Sequence, residues 1–243
     1  MKTILITGAS AGIGRAVAEH MAQNGWHVGL VARRAETLED MAAEIGDTAL
    51  ALPADVSDPD AIDAVFTRFI NHFGRIDCLF NNAGIFTPAA PIDEIPVADW
   101  ERAVAVNLTG MVLCARAAFG AMRRQSPQGG RIINNGSVSA HAPREGATTY
   151  TVTKHGVTGL TKQLALDGRP YQIACGQIDI GNTETDMLRD LAKAAIAEGK
   201  APPPSFDVHH VAEAILSMAN LPLSANTLFQ TIMATQMPNV GRG

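Results

Sequence analysis

Short apolar runs rich in β-branched residues alternate with longer stretches of helical period along almost the whole chain, and this alternation constrains the fold more than any other feature. The runs at 2–7, 27–32, 48–53, 76–81, 131–134, 172–178 and 227–233 have the length and composition of strands. Between them, helical patterns occupy about 13–23, 34–44, 59–73, 97–124, 149–166, 184–197 and 208–218. Strands apolar on both sides need cover on both faces, and a helix between successive strands supplies the crossover that parallel pairing requires. The prediction is one doubly wound α/β domain, a parallel sheet of about seven strands with helices on both faces. Asp58 before Pro59 marks a helix start, a side-chain cap followed by a proline at the first helical position. The irregular segment 198–205, with Ala201-Pro202-Pro203-Pro204 at its centre, reads as a surface loop.

Composition narrows the function classes. Of 243 residues, 47% are apolar and 18% charged, a globular balance. Nineteen basic against 24 acidic side chains give a net charge of −5, with no block of like charge, so a nucleic-acid or membrane-surface partner is not expected. No apolar run approaches the ~18 residues of a membrane span. The apolar stretch 4–6 ends at Thr7-Gly8, too soon for an export signal. Cys78, Cys114 and Cys175 are odd in number and set in apolar runs, the pattern of reduced thiols in a cytoplasmic protein. His209-His210 lack ligand spacing, and no metal site is assigned.

Between the first strand and the first helix stand Gly8, Ser10, Gly12, Ile13 and Gly14. A turn here can bring backbone amides to a pyrophosphate at a helix N-terminus, provided that no Cβ blocks the approach. The spacing is G-x-x-x-G-x-G, and no Gly-Lys-Ser/Thr follows, which excludes a nucleoside-triphosphate loop. An ordinary tight turn is the alternative. A dinucleotide fold places a carboxylate at the end of the second strand for NAD(H), or an arginine for the 2′-phosphate of NADP(H). The sequence there reads Val31-Ala32-Arg33-Arg34, favouring NADP(H), with NAD(H) as the alternative. Arg33 and Arg34 would equally open a solvated helix face, and Ala11 offers no second basic group.

Further on come Asn81-Asn82-Ala83-Gly84, Asn107, Ser137, and Tyr150 with Lys154 four residues later. With the glycine turn, this set resembles the short-chain dehydrogenase/reductase family, in the family's order and spacing from Thr7 to Lys154. The resemblance implies a Rossmann-type fold, a nicotinamide dinucleotide, and Asn107, Ser137, Tyr150 and Lys154 as the catalytic set. It adds Asp55-Val56 at the adenine, Asn82, Ala83 and Gly84 on the cofactor side, and Gly181, Thr183 and Thr185 near the carboxamide. Asp55 would equally help open the next helix. The residue chemistry agrees. Hydride transfer to a carbonyl needs a proton donor at the developing alkoxide, and the reverse reaction needs a base. Tyrosine titrates near pH 10, and an ammonium one helical turn away favours its anion. A serine at a strand end can hold the substrate oxygen. The resemblance also gives Lys154 a contact to the nicotinamide ribose, and Asn107 a water linking Lys154 to solvent.

The chain departs from the family's pattern in places. Ile180 stands where a proline precedes Gly181, Gly136 where a serine commonly precedes the catalytic one, and 233–243 lacks the usual glycine-rich ending. Segment 183–205 is the expected substrate loop, with Met187, Leu188, Leu191 and Ile196 on its helical half and Arg144 and Glu145 as further candidates to line the pocket. The expected activity is an NADP(H)-dependent interconversion of a small carbonyl and a secondary alcohol with Tyr150 as general acid/base. A dinucleotide-binding sensor or scaffold without turnover, and an epimerase or dehydratase, are the alternatives. A homo-dimer or homo-tetramer through 97–124 and 149–166 is expected.

Overall fold

The computed structural model describes residues 1–239 apart from Glu198 and Lys200. Seven strands, β1 (Thr3–Thr7), β2 (His27–Ala32), β3 (Ala49–Pro53), β4 (Cys78–Asn81), β5 (Gly130–Asn135), β6 (Ile173–Ile180) and β7 (Phe229–Ile232), form one sheet. Its order is β3-β2-β1-β4-β5-β6-β7 and every neighbouring pair is parallel. The helices are α1 (Gly12–Gln23), α2 (Ala35–Ile45), α3 (Pro59–Phe73), α4 (Val97–Val104), α5 (Gly110–Arg124), α6 (Thr148–Asp167), α7 (Asp186–Ala197) and α8 (Val208–Asn220). They cover both faces. On one, Val17, Met21, Leu38 and Ile215 pack on Ile4, Ile6 and Leu30; on the other, Phe66, Phe69, Cys114 and Met122 pack on Leu5, Leu52 and Ile132. This is the predicted doubly wound α/β domain.

Local chemistry accounts for the boundaries. Asp58 Oδ1 accepts the N–H groups of Asp60 and Ala61 at 3.0 and 3.2 Å, and Gly74 closes the same helix in the left-handed region at φ +83°. The predicted helix 97–124 is continuous but contains a π-turn at Ala105–Thr109 between α4 and α5. By length and composition Val97–Arg124 would span a membrane. Met111, Cys114, Ala115, Ala118 and Met122 on it are nevertheless buried within the protein, as in a core helix. All three cysteines are free and buried, with burial pushing each thiol up to about 12.

The sheet order reverses between β1 and β4, because the chain leaves β3 at one edge and returns beside β1. A crevice at the carboxyl ends of the strands is the topological consequence. The glycine turn, Arg33, Asn82, Ser137 and Gly181 follow the carboxyl ends of β1, β2, β4, β5 and β6.

Candidate active site

The glycine turn leaves β1 with Gly8 at φ +68° and Gly12 at φ +52°. A Cβ on Gly8 would stand 2.9 Å from Asn82 Nδ2, and one on Gly14 would overlap the Gly8 carbonyl. Glycine is therefore required twice over, by torsion and by contact. Ile13 packs against the core from the first turn of α1. Side chains of the motif after β4 brace the turn. Asn82 Nδ2 donates to the Thr7 carbonyl at 2.9 Å, and the N–H groups of Asn82 and Ala83 share Thr7 Oγ1 at 2.8 and 2.9 Å. Asn135 Nδ2 in turn donates to Asn82 Oδ1 at 2.8 Å, tying the ends of β1, β4 and β5 together.

At the end of β2 the two arginines differ. Arg34 reaches back across the turn, its Nη2 donating to the Ser10 carbonyl at 2.8 Å and to Ser10 Oγ at 3.0 Å. Arg33 is exposed and interacts electrostatically with Asp55. Asp55 Oδ1 accepts the Ser57 hydroxyl at 2.7 Å and the Ser57 N–H at 2.9 Å, bonds that hold its carboxyl below the usual range. Asp55 thus shapes the turn into α3, one of the two roles open to it. Val56 is buried beneath Gly110, where a Cβ would meet Val56 Cγ2 at 2.8 Å.

Asn107 lies in the π-turn, fully buried. Its Oδ1 accepts the Ile85 N–H at 2.7 Å and its Nδ2 donates to the Ile85 carbonyl at 2.9 Å. The side chain clamps the segment that follows Gly84.

Ser137 follows β5, and Tyr150 and Lys154 share one face of α6. Lys154 Nζ donates to the Asn135 carbonyl at 2.7 Å and sits 5.4 Å from the centroid of the Tyr150 ring. Burial lowers Lys154 to about 8, with Asp179 pulling the other way. Burial raises the Tyr150 phenol above its ordinary value, while a hydrogen bond with Ser137 and the charge of Arg144 pull it down. In the polypeptide alone, burial therefore favours the neutral phenol. Phe86 stacks on the Tyr150 ring with centroids 4.3 Å apart and an interplanar angle of 20°. It is exposed and forms an aromatic wall beside the phenol.

Asp179 and His141, both near Ser137, have no counterpart among the residues singled out from sequence. Asp179 is fully buried at the end of β6. Its Oδ1 accepts the Ser137 N–H at 2.9 Å and Gln177 Nε2 at 2.7 Å, and its Oδ2 pairs with His141 Nε2 at 2.8 Å. The run Gly176-Gln177-Ile178-Asp179 was the available signal: two polar residues at the period of a strand.

With Ile180 in place of a proline, β6 runs on through Ile180 paired to Ile232, and the Gly181 N–H donates to the Ile232 carbonyl at 2.8 Å. Thr183 is buried, donates to the Gly181 carbonyl at 3.1 Å and bridges to Phe206. Thr185 lies over the glycine turn, its Cγ2 3.2 Å from the place of a Cβ on Gly12. The expected loop 183–205 thus leaves and re-enters at one bridge. Leu188 is half-buried and Ile196 exposed, while the side chains of Met187 and Leu191 lie outside the described residues. Among the described residues no group of three metal-ligating side chains occurs.

Comparison with known proteins agrees with this geometry. A family model described as short chain dehydrogenase matches residues 2–195. The 3beta-hydroxysteroid dehydrogenase of Mediterraneibacter gnavus is 34% identical over 212 residues, covering 83% of this chain and 75% of that protein. Cis-4-hydroxycyclohexanecarboxylate dehydrogenase of Sinomonas cyclohexanicum is 32% identical over 225 residues, 90% of this chain and 89% of that one. Among solved structures, 3-ketoacyl-(acyl-carrier-protein) reductase from Brucella melitensis, complexed with NADH, superposes with a TM-score of 0.85 at 29% identity, covering 96% of each chain.

Proposed function

Because the chain belongs to the short-chain dehydrogenase/reductase family, whose members are oxidoreductases of hydroxyl and carbonyl groups using a nicotinamide dinucleotide, we propose that it interconverts a small carbonyl and a secondary alcohol with NADP(H). The single observation that carries the proposal is the corner of Ser137, Tyr150 and Lys154, a phenol drawn down by the serine hydroxyl, with a buried ammonium 5.4 Å from its ring.

The crevice residues fit the dinucleotide. A Cβ at Gly8 or Gly14 would collide with Asn82 and neighbouring backbone, so the turn packs tightly as bare backbone, and Ser10 and Ile13 lie at the helix N-terminus over which a pyrophosphate would rest. Asp55 and Val56 would border the adenine, and Asn82, Ala83 and Gly84 the inner ribose side. Gly181, Thr183 and Thr185 would meet the carboxamide end, and Lys154 the nicotinamide ribose. Arg34, already folded onto Ser10, together with Arg33 presents two guanidinium groups to a 2′-phosphate. When bound, the cofactor supplies or takes up the hydride.

The remaining work falls to the chain. In the reducing direction Tyr150 delivers its proton to the developing alkoxide, and Ser137 steadies the same oxygen by a hydrogen bond. In the oxidising direction Tyr150 must lose its proton first, which the ammonium of Lys154 favours. Asn107 keeps the wall after Gly84 in register. The loop 183–205 closes the substrate side. A panel of ketones, aldehydes and secondary alcohols followed at the nicotinamide absorbance, with each cofactor, tests the activity. Tyr150→Phe is expected to bind NADP(H) near normally and to lose on the order of 10²–10⁴-fold in turnover. Wild-type turnover in that variant removes Tyr150 from the mechanism.

A further inference from the structure

Among the described residues, the carboxylate of Asp179 is the one buried acid in the catalytic corner, and the mechanism above makes no use of it. Three strands of contact converge on it. Along β6, Gln177 Nε2 donates to Oδ1 at 2.7 Å and carries on to Thr158 Oγ1 of α6 at 3.0 Å. From the end of β5, the Ser137 N–H donates to the same oxygen at 2.9 Å. From the turn after Ser137, His141 Nε2 donates to Oδ2 at 2.8 Å, the imidazole itself half-exposed. Directly beneath lies Gly136, where an added Cβ would overlap Asp179 Oδ1 and stand 2.6 Å from Gln177 Nε2. The departure from the family's pattern at Gly136 is therefore one half of a paired feature. The position before Ser137 lacks a side chain, and the carboxylate from the neighbouring strand fills the space.

We propose that Asp179 is a positioning residue of this active centre: its carboxylate replaces a side chain at Gly136, fixes the backbone that carries Ser137, and holds His141 beside the same turn. The inference rests on the assignment of Ser137, Tyr150 and Lys154 given above. Its carboxylate also reaches the reacting groups electrostatically. The charged and titratable groups that interact with it are His141 on the serine turn and Tyr150 and Lys154 on α6, while Arg144, on the loop before α6, acts on Tyr150. Its negative charge favours the ammonium of Lys154 against burial and opposes the tyrosinate form of Tyr150. Both effects move in one direction when the charge is removed: the two groups titrate at lower pH.

Asp179→Asn keeps an oxygen for Ser137 and Gln177 and removes the charge. Tyr150 and Tyr171 are the only tyrosines. In a Tyr171→Phe background, ultraviolet tyrosinate absorbance therefore reports Tyr150 alone, with no substrate present. The expected result of adding Asp179→Asn is a Tyr150 titration lower by about half a pH unit or more, with the pH profile of kcat/KM displaced the same way. A titration and profile that stay in place, while melting temperature and activity fall together, would reduce Asp179 to scaffolding and overturn the proposal. A second measurement needs neither turnover nor the Asn variant. Gly136→Ser should lower the melting temperature sharply in the wild-type chain and much less in an Asp179→Ala chain. Equal losses in both backgrounds overturn the steric half of the proposal. Should Tyr150→Phe retain full turnover, the carbonyl chemistry fails, yet the tyrosinate titration and the Gly136 cycle still decide the role of Asp179.

Discussion

The two halves of the crevice are held by different physics. At the β1–β2 end the cradle is backbone. Gly8 and Gly12 sit at positive φ, Gly14 is pressed on the Gly8 carbonyl, and Thr7, Asn82 and Asn135 satisfy one another with neutral hydrogen bonds. At the β5–β6 end the fixed groups are ionisable: buried Lys154 and Asp179 and half-buried Tyr150, within one corner. Replacing a residue of the first kind changes shape, and so binding. A replacement of the second kind changes charge, and so rate and pH dependence. Under the proposed function, the difference teaches that one sheet edge would separate the holding of a cofactor from the poise of a proton.

The largest effect expected from breaking this division comes at Lys154. Lys154→Met keeps length and apolar bulk but removes the ammonium, and a loss of about 10²–10³-fold in kcat is expected with cofactor affinity falling far less. Stability gives an independent reading. Burial lowers the folded-state value from 10.5 to about 8, so between those values the unfolded chain binds more protons and this group makes stability rise with pH. The penalty is fully present below about 8 and relieved as pH rises towards 10.5. Unfolding measured from pH 7 to 10 should show the wild type gaining on Lys154→Met by up to roughly 3 kcal/mol. Parallel stability curves would mean that the lysine is not held as a buried cation.

Next in size is Gly14→Ala at the other end. The added methyl meets the Gly8 carbonyl, and backbone must move, at a cost of about 1–3 kcal/mol in stability. Dinucleotide binding is expected to weaken at least tenfold, while the pH profile of the residual activity stays where it was. A displaced profile would show the two ends to be coupled, against the comparison. Smaller again is Arg34→Ala. It removes the guanidinium lying on Ser10, and NADP(H) should bind roughly tenfold more weakly with NAD(H) affinity nearly unchanged. Equal losses for both cofactors in a fluorescence titration would assign Arg34 to bracing the turn instead of reading a 2′-phosphate.

The same division explains what could be read from the sequence. Strands and helices were legible because the apolar period is set by burial on two faces, and the glycine turn because torsion and contact admit no other residue there. Ser137, Tyr150 and Lys154 stood out through spacing. The reading of β6 as ending at 178 missed Asp179, since a carboxylate after an apolar run resembles the start of a loop. In the folded chain β6 continues to Ile180, because Ser137, Gln177 and His141 satisfy the buried acid from three directions. No local pattern encodes partners that lie 38 and 42 residues away. The π-turn at Ala105–Thr109 was equally hidden, because the helical period runs through it unbroken. Its cause lies in the pairing of Asn107 with the backbone of Ile85 on a separate segment.

The smallest expected effect discriminates most finely. Ser137 and Ser139 are both buried after β5, two residues apart. Spacing to Tyr150 selects Ser137, and the structure separates them by hydrogen bonding. Ser137 Oγ accepts the Ser139 N–H at 3.1 Å, and the Ser137 hydroxyl pulls the Tyr150 phenol down against burial. The Ser139 hydroxyl has no partner among the described residues. A buried hydroxyl without a partner forfeits its hydration with nothing in return, so its deletion should be neutral to stabilising by up to about 1 kcal/mol. Ser139→Ala is expected to keep turnover and its pH profile within about twofold of wild type, whereas Ser137→Ala should lower kcat by on the order of 10²-fold. If Ser139→Ala instead matched the loss of Ser137→Ala, the proton-handling corner would extend along the turn, and its boundary would have to be drawn by the shared backbone instead of by the groups that contact Tyr150.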